Sequence, residues 1–176
     1  MTNWSTAYLS IGSNKGDKLK NLAEAVDCLR QEDKIRVTGV SGFYRTAPQN
    51  YADQDWFVNA ALKIDTCLAP ESLLDRLKAI ESMLDAEGKP FRFGPRIIDL
   101  DIIYYDTLVV KTERLELPHP RMHERCFVLT PLSDIASTLV HPLLNLSTDE
   151  LLHQIKSDES QAVIPLDEED IREIFH

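Results

Sequence analysis

From the amino terminus, Ala7, Leu9 and Ile11 alternate with Tyr8 and Ser10, the period-two pattern of a half-buried strand. Gly12-Ser13-Asn14 ends it, because these residues favour turns. Leu19, Leu22, Ala23, Val26 and Leu29 then fall at helical spacing and make one apolar face. Ile35 to Tyr44, rich in β-branched and aromatic residues, reads as a second strand, with Gly39 and Gly42 predicting a bulge or a close backbone approach. Thr46 to Asp55 is polar and reads as a loop. Trp56, Val58, Ala60, Leu62 and Ile64 alternate with Phe57, Asn59, Ala61 and Lys63, a third strand. Pro70 suits a helix start, and Leu73, Leu77, Ile80 and Leu84 form the stripe behind it. Gly88, Pro90, Gly94 and Pro95 make Asp85 to Pro95 a loop, and Ile98, Leu100, Ile102 and Tyr104 mark a fourth strand.

The order strand, helix, strand, strand, helix, strand predicts an α+β fold. It is that of a ferredoxin-like sandwich, a mainly antiparallel sheet with helices on one face. Leu108 to about Ile155 adds a C-terminal extension: a short hairpin, a proline-bounded loop and one or two helices. The expected division is a catalytic domain over 1–156 and an acidic tail over 157–176. With Asp167-Glu168-Glu169-Asp170 near its end, the tail reads as a solvated terminus. The alternative is a short helix docking through Ile171, Ile174 and Phe175.

Length changes little in this picture: 176 residues suit one domain. Charge changes more. A net charge of −10 repels nucleic acid and anionic membranes, so a general nucleic-acid binder is excluded. No apolar run approaches a membrane span, and Met1 to Ser5 does not open a signal peptide. Cys28, Cys67 and Cys126 form no Cys-x-x-Cys pair and are odd in number, which fits a reducing compartment and a cytoplasmic protein.

Asp99 and Asp101 carry the strongest chemical signal. Residues i and i+2 of a strand share a face, so both carboxylates project together, and a divalent metal would relieve their repulsion. From the pair alone, two solvated acids remain the alternative. Arg96 lies just before them, within Gly94-Pro95-Arg96. A guanidinium beside metal-binding carboxylates suits phosphate, and a salt bridge to Asp99 or Asp101 suits it equally. Arg114, His119, Arg121 and Arg125 are a cationic group in an acidic chain. Phe57 and Asn59 share a face of the third strand, where an aromatic and an amide could hold a flat heterocycle. No Walker-type phosphate loop and no Gly-x-Gly-x-x-Gly occur. His119 and His123 have zinc-helix spacing, but Pro118 and Pro120 argue against a helix there.

These motifs, in this order, resemble the 6-hydroxymethyl-7,8-dihydropterin pyrophosphokinase family. The resemblance runs from Tyr8 to about Leu152. It rests on Leu9 to Asn14, Phe43 to Thr46, Phe57 to Ala61, Gly94 to Ile102, Leu117 to Pro120 and Arg125 to Leu129. It implies transfer of a pyrophosphoryl group from ATP to the hydroxymethyl group of a dihydropterin in folate biosynthesis. AMP would be released, and two Mg²⁺ ions would take part. Carried over residue by residue, Asp99 and Asp101 match the metal carboxylates and Arg96 the phosphate-binding arginine. Thr46, Ala47, Phe57, Asn59 and Phe127 match the pterin side, and Glu81, Ile102, Arg114, His119 and Arg125 the ATP side. The next enzyme of that pathway, dihydropteroate synthase, is the implied partner.

One departure stands out. The family carries arginine in the loop after the second helix where this chain has Ala86. Lys89 and Arg92 are candidates for the missing charge, and Phe93 for the aromatic that seals the pterin pocket. The rival readings are a Mg-dependent nucleotidyl transferase or cyclase, which also places paired aspartates on such a sheet, a non-enzymatic ferredoxin-like binding module and, given Ala86, a catalytically impaired homologue.

Overall fold

The computed structural model describes residues 2–88, 90–155 and 159–172. Its main sheet runs in the order β5-β1-β4-β3-β8, with β2 also paired to β4. The strands are β1 (Ser5–Ser13), β2 (Ile35–Val40), β3 (Tyr44–Thr46), β4 (Phe57–Thr66), β5 (Asp99–Tyr105) and β8 (Val163–Pro165). All the described pairings in it are antiparallel. β6 (Val110–Lys111) and β7 (Glu116–Leu117) form the separate short hairpin.

The alternation along β1, β4 and β5 does what it predicts. Ala7, Leu9, Ile11, Ala60, Leu62, Ile64, Leu100 and Ile102 all enter one core, under α1 (Lys18–Arg30) and α2 (Pro70–Leu84). Asp17 caps α1, its carboxylate accepting from Lys20 N at 3.2 Å. Leu22, Val26 and Leu29 are fully buried, each contributing about 1.5–3 kcal/mol. Pro70 opens α2, which buries Leu73, Leu77 and Ile80.

The extension places helices on the opposite face. α3 (Cys126–Ala136) and α4 (Thr148–Gln154) pack Val128, Leu129, Leu132 and Leu151 against Ala61, Ile103 and Tyr104. A register shift between β1 and β5 makes this possible: Tyr8 pairs with Tyr104 but Leu9 with Ile102. The extra residue, Ile103, lets both Ile103 and Tyr104 join the second core. α3 reaches only part of this face. The end of β1 and the starts of β4 and β5 lie open.

The single strand expected over Ile35 to Tyr44 is two. Its first half pairs with the end of β4 and its second half with the beginning. Between them, Gly42 N donates to Asp134 Oδ2 of α3 at 3.0 Å instead of to the ladder. The tail also differs from the solvated reading. β8 extends the sheet beside β3, and Leu166 and Ile171 pack against the first core. Ile171 lies in α5 (Glu168–Arg172), whereas Ile174 and Phe175 lie outside the described residues.

Candidate active site

On the open face, the ladder aligns side chains from separate strands. Gly12 pairs with Asn59 on one side and Asp99 on the other, and Ser10 pairs with Ala61 and Asp101. Asn59 and Asp99 therefore flank Gly12 on one row, and Asp101 lies on the next. A cavity of about 240 Å³ opens over these rows. At one end it is lined by Thr46, Ala47, Phe57, Asn59 and Phe127, and at the other by Lys78, Arg96, Asp99, Asp101 and Arg125.

The first end is shaped to grip something flat. Asn59 is 4% exposed and its amide donates to Thr46 Oγ1 at 2.5 Å, which fixes the amide plane. Phe57 and Phe127 add aromatic surface, backed by the Arg96 guanidinium at 5.2 Å and the Arg125 guanidinium at 5.4 Å from the ring centres.

The second end carries opposed charges. Arg96 is held at its backbone by a reciprocal pair: its N donates to Asn14 Oδ1 at 3.0 Å, and its carbonyl accepts from Asn14 N at 3.2 Å. Its guanidinium reaches Asp99 at 3.5 Å. The salt bridge that the sequence left open thus forms, with capacity to spare: Nε of Arg96 and Nε of Arg125 are both buried without a hydrogen-bond partner. Burial, and then Arg121, push the Arg125 pKa down, while Asp101 and Asp99 oppose this.

Among the ATP-side candidates, Glu81 sits behind this wall. Its Oε1 accepts from Leu100 N at 2.7 Å, and Lys78 Nζ pairs with its Oε2 at 3.0 Å. Burial raises the Glu81 pKa. His119 is half-buried; burial, followed by Arg125 and Arg121, lowers its pKa to about 4, so it is neutral at pH 7. Its Nδ1 accepts from Arg121 N at 3.2 Å.

Other candidates are not brought into the cavity. The Ile102 side chain lies in the core on the helix side of the sheet. Arg114, on the hairpin, pairs with Glu71 and Asp75 of α2. The Arg92 guanidinium stacks 4.8 Å from the Phe93 ring centre. Lys89 lies outside the described residues. Phe93 does line the cavity, its backbone in the left-handed region at φ 63°. Its carbonyl accepts from Gln54 at 3.2 Å, and Tyr51 meets Phe91 edge-on at 5.1 Å. The two polar loops therefore meet over the cavity.

Sequence reasoning missed Lys78, Gly12, Ser10 and Gln54, all of which line the cavity. For Lys78 a signal existed. Lys78, Glu81 and Asp85 recur at helical spacing, and the last two accept from backbone N–H groups of Leu100 and Ile97 at the start of β5.

An aromatic, amide-edged slot joined to a wall of guanidinium and carboxylate groups has the chemistry of a phosphoryl-transfer site on an α+β sandwich. Comparison with known proteins makes this specific. Residues 8–137 match the model of the 7,8-dihydro-6-hydroxymethylpterin-pyrophosphokinase (HPPK) family, and the chain belongs to that family. A 2-amino-4-hydroxy-6-hydroxymethyldihydropteridine pyrophosphokinase of Methylorubrum extorquens is 49% identical over 76% of this chain and 84% of its own. The Bacillus subtilis protein of that name is 42% identical over 82% and 86%. "Folic acid synthesis protein FOL1" of Dictyostelium discoideum is 46% identical over 82% of this chain, which spans only 22% of that longer protein. The Plasmodium falciparum HPPK-DHPS structure with pteroate shares the fold, with a TM-score of 0.71 at 15% identity over 88% of this chain and 45% of its own.

Proposed function

We propose that this cavity transfers the pyrophosphoryl group of ATP to the hydroxymethyl oxygen of 6-hydroxymethyl-7,8-dihydropterin, a step of folate biosynthesis. The pterin ring would lie between Phe57 and Phe127, with its amide edge on Asn59. The triphosphate would lie along Arg96, Arg125 and Lys78. The hydroxymethyl oxygen attacks the β-phosphorus in line and gives up its proton to water, the bond from that phosphorus to the oxygen bridging to the α-phosphorus breaks, and AMP leaves.

The observation that carries this reading is the pair of buried, unpartnered guanidinium Nε donors on Arg96 and Arg125, in the cavity that Asp99 and Asp101 also line. Buried donors of this strength call for an anionic acceptor, and phosphate oxygens supply it. The carboxylates fit Mg²⁺. Among the described residues no cluster of three or more acidic, His or Cys groups could hold a metal unaided, and Mg²⁺ characteristically takes one or two carboxylates plus substrate phosphates. Asp99 and Asp101 would hold two such ions, which supply charge neutralisation along the phosphates. The chain's own residues do the rest. Asn59 orients the ring, Arg96 and Arg125 hold the phosphates, and the loops meeting at Tyr51 and Phe91 exclude water.

Among the described residues no helix is long and apolar enough to cross a membrane. We place the reaction in the cytosol, a reducing compartment that suits three cysteines with no Cys-x-x-Cys pair among them. We extend the reading to a partner, dihydropteroate synthase, because HPPK-DHPS of Plasmodium falciparum carries an HPPK region within a longer chain. The test is one assay with ATP, Mg²⁺ and hydroxymethyldihydropterin. The expected result is pterin-dependent release of AMP. Release of ADP, or AMP formation without the pterin, would overturn the assignment.

A further inference from the structure

Two segments that line the cavity belong to different parts of the chain. Thr46, Ala47, Gln49 and Asn50 continue from β3, and Arg125 and Phe127 stand at the start of α3. The residue in the N-cap position of α3, Arg125, gives no side-chain cap, and the N–H groups of a helix's first turn need acceptors from outside the helix. The tail supplies one. Gln161 Oε1 accepts from Cys126 N at 3.0 Å, and Gln161 Nε2 donates to Glu124 O at 3.0 Å.

Either side of Gln161, the same segment grips the other wall. Ala47 N donates to Ala162 O at 3.1 Å, and the Gln49 side chain donates to Ser160 O. Thr46, Arg45 and Tyr44 pair in register with Val163, Ile164 and Pro165. Leu166 N closes the run on Phe43 O at 2.9 Å. The segment thus ties the β3 wall to the α3 wall within a few residues of Ala47 and Phe127. It also lies beyond residues 8–137, the stretch matched by the family model.

We infer that Glu159–Leu166 is a strap that sets the width of the pterin slot, with Gln161 as its positioning residue. This rests on the proposed function above. Gln161 does not line the cavity. It acts by fixing where the α3 start, with Phe127, stands relative to Thr46 and Ala47. A strap of this kind acts mainly on the flat end; of the phosphate-end groups it adjoins Arg125, next to the bonded Cys126. Arg96 and Asp99 are anchored through β1, β5 and Asn14 instead.

The test uses the full chain with Gln161→Ala, which removes both bonds, and Gln161→Glu, which keeps an acceptor for Cys126 N but loses the donor to Glu124. Titration with hydroxymethyldihydropterin, in the presence of a non-hydrolysable ATP analogue, should show binding about tenfold weaker for Gln161→Ala and intermediate for Gln161→Glu. Affinity for the ATP analogue alone should fall clearly less, by about threefold at most, because Arg125 adjoins the bonded Cys126 while Arg96 and Lys78 are held elsewhere. Hydrogen exchange should show faster exchange at Ala47 and Cys126, with Leu62 unchanged. Wild-type protein that binds pterin, together with a Gln161→Ala variant that binds it equally well, overturns the strap alone. Wild-type protein that binds no pterin overturns the functional reading and the strap with it. Equal weakening of both ligands by Gln161→Ala also overturns the strap, since that is the signature of a general loss of structure.

Discussion

Replacing Gly12 with alanine sets two effects of known sign against each other. On backbone grounds the change is favourable, because glycine in a strand interior is worse than alanine by about 0.5–1 kcal/mol. The site opposes it. A Cβ on Gly12 would run into Asn59 Oδ1, with Asn59 Cγ at 3.3 Å and Phe57 Cδ1 at 3.7 Å. Asn59 has little room to yield, being 4% exposed and bonded to Thr46. Displacing it breaks that bond inside a closed space, which costs about 1–3 kcal/mol. The net expectation for Gly12→Ala is therefore a loss of roughly 0.5–2 kcal/mol in urea denaturation. Pterin affinity should fall about tenfold or more, because the displaced group is the amide that would read the ring edge. A second variant isolates the cause. In an Asn59→Ala background the obstructing oxygen is gone, and Gly12→Ala should turn neutral or stabilising. A Gly12→Ala protein as stable as wild type with intact pterin binding would refute the argument, as would an equal loss in both backgrounds.

Three further outcomes follow from the same geometry. Asp101→Ala should lower kcat about 100-fold or more with the denaturation midpoint nearly unchanged, and near-normal turnover at saturating Mg²⁺ would end the metal assignment. Lys78→Met keeps the apolar stem and removes the charge, so the KM for ATP should rise while the KM for pterin holds; an unmoved ATP KM in steady-state kinetics would place Lys78 outside the phosphate path. His141 Nδ1 accepts from the N–H groups of Leu143 and Leu144 at 3.2 and 3.1 Å, and burial, then His123, hold its pKa below the ordinary 6.5. A depressed folded-state pKa gives stability that is full above the unfolded value and lost as pH falls through it. The urea midpoint should therefore drop between about pH 7.5 and 5.5. His141→Gln should shrink that drop without abolishing it, because His119 is depressed too.

Much of this was legible because the chemistry sits on strands. Period two placed Asp99 and Asp101 together, placed Phe57 and Asn59 together, and put Leu100 and Val58 on the far side, before any coordinates. What strands hide is the neighbour across the ladder. Nothing in the sequence says that Gly12 lies between Asn59 and Asp99, since register is set by pairing and not by spacing along the chain. The tail was legible only in the alternative of a short helix docking through Ile171, and its strand was hidden for a related reason. The acidic run suggested a solvated end, yet Val163 to Pro165 pairs through backbone groups, which leave no mark in side-chain pattern, and Gln161 looks like any surface amide until the start of α3 is seen beside it.

The position of the cations bears on how such a site would work in so acidic a chain. With a net charge of −10, the protein repels a triphosphate at a distance, so capture depends on charge held locally. In the loop after α2, where the resemblance led to the expectation of an arginine, this chain has Ala86, and the Arg92 guanidinium is stacked on Phe93. The cations that do line the cavity stand on rigid supports. Lys78 is on α2, Arg125 adjoins α3, and Arg96 is locked to Asn14 through its backbone. On the proposed reading, the charge is in place before the ligands arrive, which spares the reorganisation that a closing loop would have to supply. The loops are then left with a steric task, for which they are equipped: Phe93 on the cavity wall, and Tyr51 against Phe91 where they meet. Exclusion of water in turn strengthens every fixed charge beneath them. On that reading, an alanine at position 86 leaves the phosphate end with its fixed cations.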